Sequence, residues 1–452
     1  MNILILAAGQ GKRMNSAVPK VLQPLAGRPL LGHVLLAAAG LAPSQVVIVH
    51  GHGAEAVREA FDTALVKWAL QSPQLGTGHA VMQGMPHIEN DALVLILYGD
   101  VPLVRERTLV QLVGLAGPRA LSLLTVKLPD PHGYGRVLRD KRGQVRRIVE
   151  QRDASPGELR VNECNTGVMC VPAGLLRKWL AKLRNDNAQG EYYLTDIIAL
   201  AVRDKVQVMP LIAEEASEVL GINDRAQLAQ AEAAYRLQRC RELMSAGATL
   251  VDPSRCDVRG VVDVGRDVFI DVNVVFEGRV TLGDRVRIGP NCVLRDIDIG
   301  ADTQVFANSL LEQSLVGRDC RIGPFARLRP GAKLADEVHI GNFVEVKNSD
   351  VGKGSKANHL AYIGDATIGA GVNVGAGTIT CNYDGANKHR TVIGDGVFVG
   401  SGSMLVAPVT LGAQATIGAG STITREAPAG RLTLERAQQI TVENWSRPVK
   451  VR

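Results

Sequence analysis

IGDGVFVGSGSMLVAPVTLGAQATIGAGSTI, residues 393–423, carries an aliphatic side chain at every sixth position: Ile393, Val399, Leu405, Leu411, Ile417 and Ile423. A helix repeats near 3.6 residues and a lone strand at two, so neither alone sets this period. Stacked coils built from short strands and corners do, because each aliphatic then points inward at the same place in successive turns. The next position must be tight, and glycine stands there in Leu282-Gly283, Ile322-Gly323 and Ile393-Gly394. Two further series keep the spacing: Val264, Ile270, Phe276, Leu282, Ile288 and Leu294, then Val316, Ile322, Leu328, Leu334, Ile340 and Val346. A β-sandwich would show period two with irregular turns. The second half is therefore predicted to be a parallel β-helix. Its phase breaks between Thr380 and Ile393, where the insert CNYDGANKHRTV (residues 381–392) is expected to leave the coil as a loop. SKANHLAYIGD (residues 355–365) lies within the repeat, yet it gathers Lys356, Asn358, His359, Tyr362 and Asp365, which a pure scaffold does not need.

The first half has another grammar. Apolar runs at Ile3 to Ala7, Val46 to Val49 and Ala92 to Leu97 alternate with helix-like stretches at Leu30 to Ala39 and Ala54 to Phe61. Strands rich in Val, Ile and Leu separated by helices indicate an α/β fold with a mostly parallel sheet. Residues 224–246 are nearly all good helix formers, with Asp224 as N-cap and Gly247 as stop. Such a helix spans roughly 35 Å at 1.5 Å per residue and would act as a spacer. The expected organisation is a domain over residues 1–223, a linker helix over 224–247 and a β-helix with a C-terminal tail over 248–452.

The chain has 452 residues, 46% of them hydrophobic, which suits a soluble protein of two or three domains. Its 48 glycines and 4% aromatics agree with a turn-rich repeat. The net charge of +6 is spread over short clusters such as Lys141-Arg142 and Arg146-Arg147, and base-stacking aromatics are scarce. That pattern points to anionic small molecules and away from nucleic acid. Seven dispersed cysteines without a CxxC spacing argue for a reducing cytoplasm and against disulfides or zinc. The opening MNILILAAG reads as a buried strand and not as a signal peptide, and no apolar run approaches a membrane span.

LAAGQGKRMNSAVPKVL (residues 6–22) follows the first strand. It fails the dinucleotide fingerprint, because Gly9 and Gly11 are followed by Met14. It fails the P-loop, because Leu6 stands where the first glycine belongs and Arg13 follows Lys12. What remains is a glycine loop whose N–H groups can approach a polyphosphate, with Arg13 and Lys20 to neutralise it.

This opening resembles the sugar-1-phosphate nucleotidyltransferases, with their LAAGxGxRM followed by PK. QLGTGHA (74–80), YGDVP (98–102), GYGR (133–136), IVEQRD (148–153), NTG (165–167) and GEYYLTD (190–196) extend the likeness. With the hexapeptide half, essentially the whole chain is similar to the bacterial bifunctional N-acetylglucosamine-1-phosphate uridylyltransferase/glucosamine-1-phosphate N-acetyltransferases. The resemblance implies a Rossmann-like mixed sheet followed by a left-handed β-helix, small-molecule substrates, and a cytoplasmic homotrimer with acyltransferase sites between subunits. It implies that Leu6, Ala7, Ala8, Gly9, Lys20, Gln71, Gln74, Gly76, Thr77, Tyr98, Gly99 and Asp100 bind UTP. Gly135, Glu150, Asn165 and Asn223 would hold the sugar phosphate, and Arg13 and Lys20 would act in catalysis. Asp100 closes a strand at the sheet's carboxyl edge, a suitable place for Mg²⁺, and Asn223 is the implied second ligand. Lys12 departs from the family, where threonine is usual, and adds a cation near the triphosphate.

Acetyl transfer to a sugar amine requires loss of an amine proton, a task that suits histidine. The resemblance assigns this to His359. Arg329, Lys347, Tyr362, Asn373 and Lys388 would hold glucosamine 1-phosphate. Ala376, Asn382, Tyr383, Ser401, Ala419 and Arg436 would hold acetyl-CoA. Glu435 replaces a small residue beside Arg436 and would compete for its guanidinium. Lys356, Asn358 and Asp365 are left as local or interface residues. Two other functions fit parts of the chain: a nucleotidyltransferase whose β-helix only assembles it, and a non-catalytic nucleotide sensor. His359 with Lys388 argues against the first, and Arg13, Lys20, Asp100 and Asn223 together argue against the second.

Overall fold

The computed structural model describes residues 1–61, 63 and 66–450. The chain divides into two compact units, Met1–Tyr235 and Arg236–Arg452. The division falls inside the long helix Arg225–Ser245.

The first unit is built on a mixed sheet. Its strands run in the order Gln207–Ile212, Ala120–Lys127, Glu163–Pro172, Leu93–Tyr98, Asn2–Ala7, Gln45–His50 and Val66–Leu70. The last four are mutually parallel. Glu163–Pro172 is antiparallel to both neighbours, so the sheet is not parallel throughout. Ile3, Leu4, Ile5, Leu95 and Ile96 are fully buried, because helices cover both faces of the central strands. The carboxyl ends of Asn2–Ala7 and Leu93–Tyr98 lie side by side, with Leu6 paired to Tyr98. They bring the LAAG loop and Asp100 to the same edge. A hairpin, Arg136–Arg139 with Val145–Val149, extends from Glu163–Pro172 between Gly135 and Glu150.

The second unit is a parallel β-helix. Its coils pair Ile270 with Ile288, Ile288 with Val305, Val305 with Ile322 and Ile322 with Ile340. Three hexads make a coil of eighteen residues, and coils of seventeen account for the slips of phase between the series. The strand Leu310–Val316 pairs with Arg327–Leu328 through its first half and with Lys333–Leu334 through its second. The larger sheet divides there into two faces, and the sheet that begins at Ala248–Leu250 forms the third. The series of aliphatics fills the interior: Ile288, Leu294, Ile322, Leu328, Val399, Leu405, Leu411 and Ile417 are fully buried. The tight position after them has a direct cause. A Cβ on Gly283 would lie 2.6 Å from the backbone nitrogen of Ala301 in the next coil. Leu405→Ala is expected to destabilise this unit by about 2–5 kcal/mol, measured by denaturant unfolding with the signal of the second unit.

The insert leaves the coil with a correction at each end: Cys381 still belongs to the strand Ile379–Cys381, opposite Val406. Val374 pairs with Val399, a step of 25 residues where neighbouring coils step by 17 or 18. The extra chain forms a small turn closed by a Tyr383–Lys388 bridge. Thr391 and Val392 already belong to the strand Thr391–Ile393, because they pair with Ala366 and Thr367. No helix among the described residues is long and apolar enough to cross a membrane.

Candidate active sites

In the first unit Leu6, Ala7, Ala8, Gly9, Lys20, Gln71, Gln74, Gly76, Thr77, Tyr98 and Asp100 line one cleft of about 500 Å³, together with Gln10, Val21, Ala80 and Glu191. Gly9 faces open space, so its backbone is accessible. Gly11 has φ +60°, and a Cβ there would meet Lys20 Cβ at 2.7 Å, so only glycine lets the loop close over Lys20. Gly99 does not line the cleft; it is packed against Ala7, Val21 and Leu31 and donates from its N–H to the Leu6 carbonyl at 2.9 Å. Arg13 sits on an exposed 3₁₀ turn outside the lining, so the structure does not bring it to the other residues.

Lys20 is the centre of the charge. Its ammonium pairs with Asp100 and donates to Asn223 Oδ1 at 3.2 Å. The lysine side chain is 10% exposed and the aspartate 18%, so the pair is shielded from bulk water. Asn223 is fixed from behind: its N–H donates to Gln227 Oε1 at 2.7 Å, and Asp224 caps the helix by accepting from the Gln227 N–H at 2.8 Å. Two hard oxygens thus face a single cation, a donor set that suits a divalent ion retaining water and phosphate ligands. No group of three or more His, Cys, Asp or Glu side chains able to hold a metal occurs among the described residues.

Gly135, Glu150 and Asn165 lie together beside this cleft. Asn165 donates from its N–H to the Gly135 carbonyl at 2.8 Å, and a Cβ on Gly135 would lie 3.3 Å from both Glu150 oxygens. Gly167 (φ +83°) lies so close to the Tyr98 ring that a Cβ would meet it at 2.4 Å. Burial pushes the Glu150 carboxyl up, partly offset by the Thr195 hydroxyl, which donates to it at 2.9 Å. Burial likewise raises the Tyr98 phenol, helped by the Glu150 and Asp100 charges, so it stays a neutral donor. Sequence reasoning gave Glu191 and Thr195 no role, although GEYYLTD contains both. The segment knits onto QLGTGHA: Gly78 donates to the Tyr192 carbonyl at 2.7 Å, Tyr192 to the Leu75 carbonyl at 2.9 Å, and Leu194 to Thr77 Oγ1 at 3.1 Å.

In the second unit His359 ends the strand Lys356–His359 and is exposed. Its Nδ1 lies 2.7 Å from Asn342 Oδ1, one coil back in register. An amide oxygen only accepts, so Nδ1 carries a hydrogen, and in the neutral ring Nε2 is the nitrogen with the lone pair. Asn342 escaped sequence reading because its partner is seventeen positions away.

Around the next corner the cations gather. Arg329 pairs with Glu345 at 2.8 Å, and Glu345 is opposite Tyr362 in register. The Tyr362 hydroxyl leans over Gly364, where a Cβ would meet it at 2.4 Å, and Gly364 is opposite Lys347. Lys347 lies 3.8 Å from Asp365, which the sequence reading left as a local or interface residue. Asp365 is 7% exposed and accepts from Asn348 Nδ2 at 2.5 Å and from Asn382 Nδ2. Burial alone would raise its carboxyl, but those two bonds and the Lys347 and Lys388 charges outweigh it and hold the carboxyl below its ordinary range. Stability from this group is present above the unfolded carboxylate pKa and is lost as pH falls through the folded one. Asp365→Asn removes the countercharge of Lys347 and should remove that acid-side loss of stability, read as a flatter dependence of the unfolding free energy on pH. Lys388 stands in the turn shaped by Asp384, which accepts from Ala386 and Asn387 N–H groups and from His389 Nε2 at 2.6 Å. Asn373 begins the strand Asn373–Val374 directly opposite Lys356.

Ala376, Ser401 and Ala419 form a column. Each lies two positions beyond the register partners Val374, Val399 and Ile417, and Gly402 donates to the Ala376 carbonyl and Gly420 to the Ser401 carbonyl. Tyr383 is exposed and donates to the Gly385 carbonyl at 2.6 Å. Arg436 lies over Gly418, where a Cβ would approach its Nη2 to 2.9 Å. The Glu435 carboxylate accepts from the Thr422 N–H at 3.4 Å.

Known proteins resemble the chain in both halves. The MobA-like NTP transferase domain matches residues 3–239, the GMPPB C-terminal domain residues 258–352, and the six-repeat bacterial transferase hexapeptide family residues 390–425. A bifunctional protein GlmU of Azoarcus sp. is 58% identical over 452 residues, covering 100% of both chains. That of Aromatoleum aromaticum is 59% identical over 450 residues, covering 100% of this chain and 99% of its own. That of Nitrosospira multiformis is 55% identical over 451 residues, covering 100% and 98%.

Proposed function

The chain belongs to the family of bifunctional GlmU proteins, and on that premise we propose how its two transferase units divide the synthesis of UDP-N-acetylglucosamine. The second unit acetylates glucosamine 1-phosphate with acetyl-CoA. The first joins the resulting N-acetylglucosamine 1-phosphate to the uridylyl group of UTP. The observation that carries this reading is the presence on one chain of two separate clusters, Lys20–Asp100–Asn223 and His359 with the Lys347–Asp365–Asn382 group.

In acetyl transfer, His359 Nε2 takes the proton from the sugar amine as the amine attacks the thioester carbonyl, and passes it to the departing sulfur as the C–S bond breaks, so that coenzyme A leaves as thiol. Asn342 holds the ring in the tautomer that leaves Nε2 basic. Arg329, Lys347 and Lys388 supply the charges for the sugar phosphate, and Tyr362 and Asn373 orient the sugar. Ala376, Ser401 and Ala419, a column of small residues, allow close approach of acetyl-CoA, with Asn382, Tyr383 and Arg436 beside it.

In uridylyl transfer, a phosphate oxygen of the sugar phosphate attacks the α-phosphorus of UTP and pyrophosphate leaves. No protein nucleophile is needed, so positioning and charge neutralisation supply the catalysis. The LAAG loop offers backbone N–H groups, and Lys20 neutralises phosphate oxygens. Arg13, on its exposed turn outside the lining, would add its charge to the triphosphate by swinging over the cleft. Gly135, Glu150 and Asn165 hold the acetylated sugar. The family points to a divalent ion, and we assign it as Mg²⁺ held by Asp100 and Asn223, where it would neutralise developing charge on the phosphates. We further infer a cytoplasmic homotrimer acting on small molecules.

The test supplies glucosamine 1-phosphate, acetyl-CoA, UTP and Mg²⁺ and follows thiol and pyrophosphate separately. Omitting acetyl-CoA should stop both products. Replacing glucosamine 1-phosphate by N-acetylglucosamine 1-phosphate should restore pyrophosphate alone. Pyrophosphate release that ignores acetylation would contradict the order of steps.

A further inference from the structure

We propose that His79 is a specificity-determining positioning residue: together with the Gly76 carbonyl it occupies both N–H groups of Gln71, so that the cleft offers an acceptor, and not a donor, to the nucleobase. This rests on the uridylyl-transfer reading of the cleft.

Gln71 is 5% exposed and lines the cleft. Its Nε2 lies 3.0 Å from the Gly76 carbonyl. A carbonyl only accepts, so the amide nitrogen is fixed on that side. The second hydrogen of the same nitrogen faces His79 Nδ1 at 3.3 Å, which must then carry the lone pair. Both N–H bonds are spent within the protein, and Oε1 is the polar atom left for the cleft. His79 therefore bears its hydrogen on Nε2, which lies 3.1 Å from the Gln83 amide nitrogen. Two donors cannot face each other, so one amide must turn. Gln71 is held by Gly76, whereas Gln83 has no other bond among the described residues. A half-turn of Gln83 puts its oxygen on the Nε2 hydrogen and completes the chain Gln83–His79–Gln71–Gly76. Tyr192 packs on the imidazole with centroids 6.5 Å apart and keeps the ring in place.

The consequence is chemical. Uracil carries a hydrogen on N3, and cytosine carries a lone pair there. An acceptor fixed at the base edge rewards the first and opposes the second. Without His79 only the Gly76 carbonyl still holds the amide, so the second Gln71 N–H loses its partner and is released as a donor, which weakens the distinction.

The experiment compares kcat/KM for UTP and CTP in the full chain, with N-acetylglucosamine 1-phosphate as co-substrate. His79→Phe keeps a ring against Tyr192 but removes the acceptor. It should lower the UTP-to-CTP preference about ten-fold, mainly through KM for UTP, with kcat changed little. His79→Asn restores an acceptor near the place of Nδ1 and should recover most of the preference. If both variants keep the wild-type preference, or if kcat falls while the preference holds, the proposal is overturned. A wild-type enzyme that transfers uridylyl groups without preferring UTP also overturns it, while leaving the cleft's activity intact. A wild-type enzyme that transfers neither nucleotide refutes the cleft's function itself.

Discussion

His359→Ala is expected to lower thiol release from acetyl-CoA by about 10²- to 10⁴-fold, the range for loss of a general base. Pyrophosphate release from preformed N-acetylglucosamine 1-phosphate should stay within about two-fold of wild type. The separation follows from where the residue stands. His359 is exposed at the end of a short strand, and its side chain bonds to Asn342. It fills no part of the β-helix core, so its removal leaves the fold intact. Asn342→Ala should have a smaller effect, because the imidazole survives and loses only the partner that fixes its tautomer. Thiol release near the wild-type rate in His359→Ala would show that another group takes the proton.

Asp100→Ala should do the reverse: uridylyl transfer falls by about 10²- to 10³-fold and acetyl transfer is retained. Asp100 is the only carboxylate in contact with Lys20 among the described residues, and both are mostly shielded from water. Removing it takes away an implied metal ligand and leaves the Lys20 ammonium with Asn223 alone. Two errors of charge then act on the same phosphates. Because a lone buried cation also weakens the fold, the variant's melting temperature is measured alongside. A stable Asp100→Ala protein with full uridylyl transfer would remove Asp100 from the site.

The hexad series makes the β-helix legible in the amino-acid sequence itself, because each coil repeats the same demand on one side chain. The coil lengths are harder to read. Steps of seventeen and eighteen shift the phase by one residue, and only register pairs such as Ile288–Val305 reveal it. The same geometry hides Asn342 and Asp365. Each acts across coils, on His359 and on Lys347 with Asn382, and chain proximity gives no sign of that. Stepping one coil length back from His359 leads to Asn342. In the first unit the motifs identify the cleft well, since loops at adjacent strand ends must share an edge. They do not separate lining residues from supports: Gly99 packs inward, Arg13 lies outside the lining, and Glu191 and Thr195 enter from a segment remote in sequence.

The most direct test of the two-site account is to mix the His359→Ala and Asp100→Ala proteins with glucosamine 1-phosphate, acetyl-CoA, UTP and Mg²⁺, and to measure UDP-N-acetylglucosamine. Each variant alone should make almost none, and the mixture should make it readily, because one protein releases the acetylated sugar phosphate that the other consumes. A mixture that stays silent while each variant keeps its remaining activity would contradict the division of labour between the two units.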